Sequence, residues 1–566
     1  MSAGRFAADR RVGIEESCAM NPNAIHPIIY VRGYAMTQTE IEDTVADPYM
    51  GFNLGSCKVR QMWDGKVRKY FFESPLVRLL KQFGYKDVYE EGADIVVGGP
   101  EADAQRGRVP YKSIVIYRYY EPSSEDLGTG AKPDMKRFAS GLGELILDLR
   151  KRIYPEGPAT VITDEERSLG KQPYDKFRVY LVAHSMGGLV VRAFLQNPAF
   201  GNDEPRSLVD KVFTYATPHN GIEIGLLGNV PPWLSLYGMN SFSRKVMAGL
   251  LGLPEDQSDL DAVDIVTNFD ASRIFNLVGT DPGDYKVAAG LSSAAVGEAS
   301  DGLVRIANAT TRARSETGFV ASPNAFVHRS HSGYFGIVNS EEGYQNLIRF
   351  LFGDVRADGR LEIDEITLPR AVQQENAAKK EVHASYLFEV TISVRGKPWQ
   401  LHRRIASENS AIVRRFDDLF PSRDPVTRQW LPDRAASPML FNVFLDRSQS
   451  QTKDTVRPTL SFAADICVRA TEYEVAGRLF FKDHYEGGYL FRDMVTLEAA
   501  PPTEAVPVWT ITYQFASQSG SDPEPVRNLV QGEDVLSFEI PIEQPNPPGI
   551  RARLCVETRF WNAWHG

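Results

Sequence analysis

The chain changes its hydrophobic rhythm once, near residue 353. Up to that point, short apolar β-branched runs alternate with segments in which apolar residues recur every three or four positions. The apolar runs have no polar face, which predicts strands buried on both sides at 27–31, 113–117, 178–182, 211–215 and 273–278. Helical spacing falls at 75–83, 138–153 and 340–352, the last opening on Glu341 and Glu342, which suit a helix N-terminus. Strands and helices that alternate in this way predict an α/β fold with a mostly parallel sheet. From Glu362 onward a period of two dominates, at 386–394, Met439–Leu445, 506–515 and 535–542, with Pro, Gly, Ser and Asp clusters between. That pattern predicts an all-β, sandwich-like domain of roughly 200 residues. The organisation expected is an N-terminal tail (1–24), an α/β domain (25–353) and a β-rich domain (354–566).

Two stretches fit the sheet less well. Residues 35–70 form a long insertion after the first strand, with Trp63 and Tyr70 in it. Residues 222–268 carry an apolar patch (Leu226, Leu227, Val230, Trp233, Leu234) and a helical pattern at 242–251. This second insertion reads as a cap or lid, with Trp233 and Leu234 as candidate substrate-pocket residues. The competing reading is core packed beneath a loop.

Size and charge narrow the function classes. A chain of 566 residues is too long for one ordinary core. Its 63 Lys and Arg against 73 Asp and Glu give a net charge of −10, which argues against a nucleic-acid partner. The acidic average leaves room for a local basic patch and contact with a membrane surface. No apolar run is long enough to span a bilayer, and the first twenty residues have Arg5, Arg10 and Arg11 but no apolar core of a signal peptide. Four cysteines (Cys18, Cys57, Cys467, Cys555) are scattered without metal-like spacing. A cytoplasmic protein without metal or cofactor is expected, with signal-independent export left open. The oligomeric state is not set by these features.

The candidate chemistry centres on one serine. The predicted strand ending near Val182 stops at Ala183-His184-Ser185-Met186-Gly187-Gly188, and a helical pattern begins at once. A strand that turns into a helix this abruptly cramps the residue at its apex and demands small neighbours. That is the nucleophile elbow, G-x-S-x-G, here with Ala183 for the first glycine. A serine nucleophile needs a histidine base and a carboxylate to orient it, in the chain order Ser, acid, His. Asp301, in Ser300-Asp301-Gly302-Leu303-Val304, is the expected acid, with Asp281 and then Asp284 as competitors. His331 is the expected base over His328, because it lies past the predicted strand end. His184 is expected to pack beneath the elbow, and His219 to be structural or pocket-lining. The oxyanion donors expected are the N–H of Met186 and the N–H of Tyr34, the latter in the loop Arg32-Gly33-Tyr34 after the first strand.

With these residues the chain resembles the serine lipases and esterases of the α/β-hydrolase superfamily, above all bacterial lipases with an A-H-S-M-G elbow. It is similar more loosely to the lecithin:cholesterol acyltransferase and GPI inositol-deacylase relatives. The matching segments are Ala-His-Ser-Met-Gly-Gly at 183–188, Ala-Thr-Pro-His-Asn-Gly at 216–221 and Asp-Gly-Leu-Val at 301–304. The resemblance implies an α/β-hydrolase fold with a cap and a serine carboxylic-ester hydrolase, with a lipid or long-acyl ester favoured as the small-molecule substrate. It says nothing of 354–566. Two departures stand out: Arg32-Gly33 replaces the usual His-Gly, and Ser330 and Ser332 flank His331 where some relatives carry acidic calcium ligands. Two alternatives remain open at this stage. One is an acyltransferase using the same acyl-enzyme. The other is a non-catalytic scaffold on a hydrolase frame. A further reading makes the enzyme a membrane-attacking effector whose C-terminal domain binds a lipid surface or a delivery partner, with Trp561 and Trp564 as interface anchors, although strand-end packing is their commoner role.

Overall fold

The computed structural model describes the chain except for residues 1–24, 34–37, 63, 91–92, 95–108, 132–133, 222–243, 254–261, 283–298, 317, 334–335, 378–381, 395–396, 398, 448–450, 453–457, 477–481, 502–505, 507, 533–534 and 563–566. Tyr34, Trp63, Trp233, Leu234, Asp284 and Trp564 lie outside the described residues. The chain divides into two compact units. One is Asn21–Asn324 with His328–Leu347; the other is built from Ala325–Val327 and Ile348–Gly566.

The α/β sheet has seven strands: β1 (Ile28–Val31), β2 (Lys86–Asp87), β3 (Ser113–Ile116), β4 (Val179–His184), β5 (Val209–Tyr215), β6 (Ile274–Gly279) and β7 (Asn324–Val327). They line up in the order β7-β6-β5-β4-β1-β3-β2, and the pairings from β2 to β6 are parallel. Strands β1, β3, β4 and β6 are buried along their whole length, as unbroken apolar runs require when helices cover both faces. The helices include α1 (Pro75–Phe83), α2 (Met135–Ile153), α3 (Met186–Gln196) and α4 (Glu341–Phe352). Ser74 caps α1 by accepting from the N–H of Val77, and Gly84 ends it in a left-handed conformation.

Register brings the strand ends to one line. Val31 pairs with Ala183, His184 with Tyr215, and Tyr215 with Leu277. The loops after β1, β4, β5 and β6 therefore leave the sheet side by side at its C-terminal edge, where open α/β sheets place their ligands.

The insertion after β1 has structure of its own: a helix (Gln38–Ala46) and a two-stranded hairpin (Ser56–Gln61 with Val67–Phe72). Of the second insertion, a helix at Arg244–Leu250 and residues 262–268 are described.

The second unit is antiparallel. One sheet runs β11-β8-β17-β16-β15, from β8 (Val355–Thr367), β11 (Met439–Leu445), β15 (Arg527–Gln531), β16 (Val535–Gln544) and β17 (Gly549–Phe560). The other is centred on β9 (Val382–Val394), β12 (Pro458–Ala476) and β13 (Tyr489–Ala500), flanked by β10 (Gln400–Arg404) and β14 (Thr510–Phe515). Alternate residues such as Tyr386, Phe388, Val390 and Ile392 of β9 share one apolar core with Leu361, Ile540 and Leu554 of the first sheet. The α/β core is thus followed along the chain by a β-sandwich. Trp561 is buried, donates its indole N–H to the Phe350 carbonyl and packs on Phe444, so it closes a strand end within the unit.

Candidate functional site

Ser185 stands between β4 and α3 with φ of 53° and ψ of −128°, a conformation that costs a non-glycine residue roughly 1–3 kcal/mol. The surroundings hold it there. Its N–H donates to the Tyr215 carbonyl at 2.9 Å, and its own carbonyl accepts from Gly188 at 3.0 Å. The small neighbours follow from close approach. A Cβ on Gly187 would lie 2.2 Å from the Val31 carbonyl oxygen, and one on Gly188 the same distance from Thr217 Oγ1. A Cβ on Gly33 would lie 2.7 Å from Ser185 Cβ. So the three glycines let the β1 loop, the elbow and the β5 loop pack at backbone contact.

His331 and Asp301 meet the serine from the far end of the chain. His331 Nε2 is 2.9 Å from Ser185 Oγ, and His331 Nδ1 is 2.9 Å from Asp301 Oδ2. A carboxylate only accepts, so the ring proton sits on Nδ1 and the Nε2 lone pair faces the hydroxyl. The other carboxylate oxygen of Asp301 accepts from the N–H groups of Leu303 (3.0 Å) and Val304 (2.7 Å). The main chain adds a further tie, with the His331 N–H donating to the Asp301 carbonyl at 2.9 Å. Asp301 and His331 are almost fully buried, and Ser185 is half-buried. Gly279, at the end of β6, lets both loops settle close: a Cβ there would meet the Arg329 carbonyl at 2.6 Å and Asp301 Cβ at 2.8 Å.

The competing residues sit elsewhere. Asp281 is 4.0 Å from Nε2 of His328, whose side chain is half exposed just beyond β7. His219 is wholly buried with Nε2 3.2 Å from Thr214 Oγ1, and burial beside Arg192 pushes its pKa well below the usual imidazole range. His184 is also buried and held neutral, by desolvation first and then by the nearby His331 and Arg32. Its Nε2 lies 2.9 Å from the His331 carbonyl oxygen; a carbonyl accepts, so His184 carries its proton there and pins the histidine loop.

Several supporting residues escaped the sequence reading. Arg329 donates through Nε and Nη2 to one oxygen of Glu342 at the start of α4, which fixes the segment leading to His331. Arg32 sends its guanidinium to the Met50 carbonyl, while its own carbonyl accepts from Tyr119 Oη at 2.7 Å. These contacts fix the β1 loop. Arg192, two turns beyond the elbow, is 1% exposed. It donates to the carbonyls of His219 (2.9 Å), Val263 and Ile265 (both 3.0 Å) and to Gln196 Oε1 (2.8 Å). Desolvation brings its pKa down to about 10. A lone arginine inside an apolar helix was the visible signal, but its acceptors are main-chain oxygens far along the chain.

Met186 opens α3, and the first N–H groups of a helix have no acceptor within it. The arrangement can therefore activate a hydroxyl by a neighbouring imidazole and offer a main-chain donor to an anion beside it.

No family model matches this chain, and no curated protein matches it. Among solved structures, the lin2722 gene product of Listeria innocua is similar at 12% identity and a TM-score of 0.24, over 58% of this chain and 94% of that one. A chain of the Tle4–Tli4 complex is similar at 21% identity and a TM-score of 0.12, over 28% of this chain and 29% of that one. Scores this low carry no argument about the site.

Proposed function

We propose that this protein is a serine carboxylic-ester hydrolase that works through an acyl-enzyme on Ser185. One observation carries the reading: a strained serine at a strand–helix turn lies 2.9 Å from His331 Nε2, and Nδ1 of that ring lies 2.9 Å from a buried aspartate. In this reading Ser185 Oγ attacks the ester carbonyl as its proton passes to His331 Nε2. Asp301 holds the ring in the productive tautomer and balances the imidazolium. The oxyanion forms against the N–H of Met186, with the N–H of Tyr34 as the second donor. Collapse expels the alcohol, which takes its proton from His331. Water, deprotonated by the same ring, then releases the acid. An alcohol in place of water would give acyl transfer from the same intermediate.

The apolar insertion at 222–268 and the lipase-like elbow favour a lipid or long-acyl ester. A series of p-nitrophenyl esters of rising chain length, with micellar phospholipid alongside, tests this. Hydrolysis that climbs with acyl length, steepens above the micellar threshold and vanishes in Ser185→Ala supports it. Preference for the shortest soluble ester overturns the lipid assignment, and no hydrolysis of any ester overturns the reaction type.

A further inference from the structure

We propose that the hairpin at residues 56–72 is a docking element that seats this protein on an anionic lipid surface. The hairpin stands as a separate two-stranded sheet and joins none of the larger ones. Its register sets Cys57 opposite Phe71, Val59 opposite Lys69 and Gln61 opposite Val67, so these six residues share one face. On that face Phe71 is 72% exposed, Val67 65% and Val59 60%. Three large apolar side chains open to solvent on a paired sheet are a binding surface rather than unfinished packing.

Charge narrows the partner. Residues 56–72 hold Lys58, Arg60, Lys66, Arg68 and Lys69 against the single acid Asp64, in a chain whose net charge is −10. Asp64 pairs with Lys66 at 3.3 Å, and Lys69 keeps its ammonium 5.0 Å from the centre of the Phe71 ring. Lys69 on the apolar face and Lys66 in the turn beside Val67, set among exposed Phe and Val, match a surface that offers phosphate or carboxylate head groups above an acyl boundary. A nucleic-acid backbone would reward the cations and leave Val59, Val67 and Phe71 in water.

Placement ties this element to the site. Ser56 Oγ, at the base of the hairpin, donates to the Asn339 carbonyl at 2.8 Å, in the segment between His331 and α4. On the other side, Arg32, next to Gly33, donates to Met50 in the turn that leads into the hairpin. Docking would bring the C-terminal edge of the sheet, and Ser185 with it, to the lipid. The proposal rests on the ester-hydrolase reading only for the use of that approach.

The test uses the full chain as Ser185→Ala, which cannot consume lipid, sedimented with phosphatidylcholine vesicles with or without phosphatidylserine. Binding is expected to need phosphatidylserine and to fall with salt. Each basic side chain near an anionic surface strengthens binding about fivefold, so Lys66→Ser in the turn with Lys69→Ser on the apolar face should weaken it more than tenfold. Val67→Ser with Phe71→Ser should weaken it as well, and thermal unfolding should be unmoved because all four residues are exposed. Equal binding to both vesicle types, no binding to either, or variants that bind as the parent does would overturn the proposal. Fluorophosphonate labelling of the wild-type chain separates the two claims. Vesicle binding without labelling keeps the docking element and loses the hydrolase; labelling without binding does the reverse.

Discussion

Replacing Asp301 by asparagine should cost the enzyme about four decades in kcat while leaving its fold intact. The reason lies in which oxygen does what. Oδ1 accepts from two main-chain N–H groups, at 3.0 and 2.7 Å, and Oδ2 faces His331 Nδ1 at 2.9 Å. An asparagine must turn its own oxygen toward the two N–H donors, because an amide NH2 there would meet them donor to donor. Its NH2 then faces Nδ1, which has to accept, and the ring proton moves to Nε2, pointing at Ser185. The base is lost without any change of shape. A wrong tautomer of this kind lowers kcat by about 10⁴-fold in a serine triad, or roughly 5.5 kcal/mol of barrier. Steady-state hydrolysis of a water-soluble p-nitrophenyl ester reads the effect, and the melting temperature checks the fold. Asp281→Asn, beside the half-exposed His328, should change kcat less than about threefold, because it leaves the pair of Asp301 with His331 Nδ1 in place. An Asp301→Asn enzyme within tenfold of wild type, or an Asp281→Asn enzyme that loses more, would refute the assignment.

Gly33→Ala puts a Cβ 2.7 Å from Ser185 Cβ and 3.1 Å from the His184 carbonyl, so the β1 loop must back away with its N–H donors. Ester hydrolysis should fall by about 10²–10³-fold, the usual result of losing one oxyanion donor, with most of the loss in kcat. Arg192→Met leaves the buried carbonyls of His219, Val263 and Ile265 without their donor. Urea unfolding should show a loss of about 3–5 kcal/mol, and Arg192→Lys, with a single point charge in place of the fork, should recover little of it. Acid should weaken the fold through its buried histidines as well as through its carboxylates. Burial lowers the His26 pKa to about 4 from the usual 6.5, against the opposing pull of Asp210. Between those values the unfolded chain takes up a proton that the native state refuses. Stability is therefore complete above pH 6.5 and falls by about 3 kcal/mol towards pH 4 from this group alone. Urea midpoints measured across that range should drop, and His26→Gln should lessen the drop without abolishing it, because burial also holds His184, His219 and His402 low.

Legibility in the sequence followed the range of the physics. The unbroken apolar runs at β1, β3, β4, β5 and β6 and the helical period at α1 name their own elements, because burial on both faces or along one stripe is a local pattern. The short β2 and β7 were not visible, since two and four residues carry too little period to read. The long strands β8, β12, β13 and β17 escaped the sequence reading, and in β8 the buried Arg356 and Asp358 interrupt the alternation. Those buried charges are tolerated because Asp358 meets Arg356 on its own strand and Asn442 on the neighbouring β11. At the site, Ser185 was readable from its small neighbours, and His331 and Asp301 from chain order. The contacts that hold them were not, because Arg329 with Glu342, and His184 with the His331 carbonyl, are pairings that only the closed sheet creates. The hairpin at 56–72 looked like an insertion without a form, since its exposed face obeys no burial pattern.

The most direct test of the central claim is covalent. The wild-type chain, treated with a fluorophosphonate and read by intact mass and peptide mapping, should gain one adduct, on Ser185. Ser185→Ala should gain none, and His331→Ala should react far more slowly than wild type. A folded wild-type protein that stays unlabelled, or an adduct that persists in Ser185→Ala, would contradict the account.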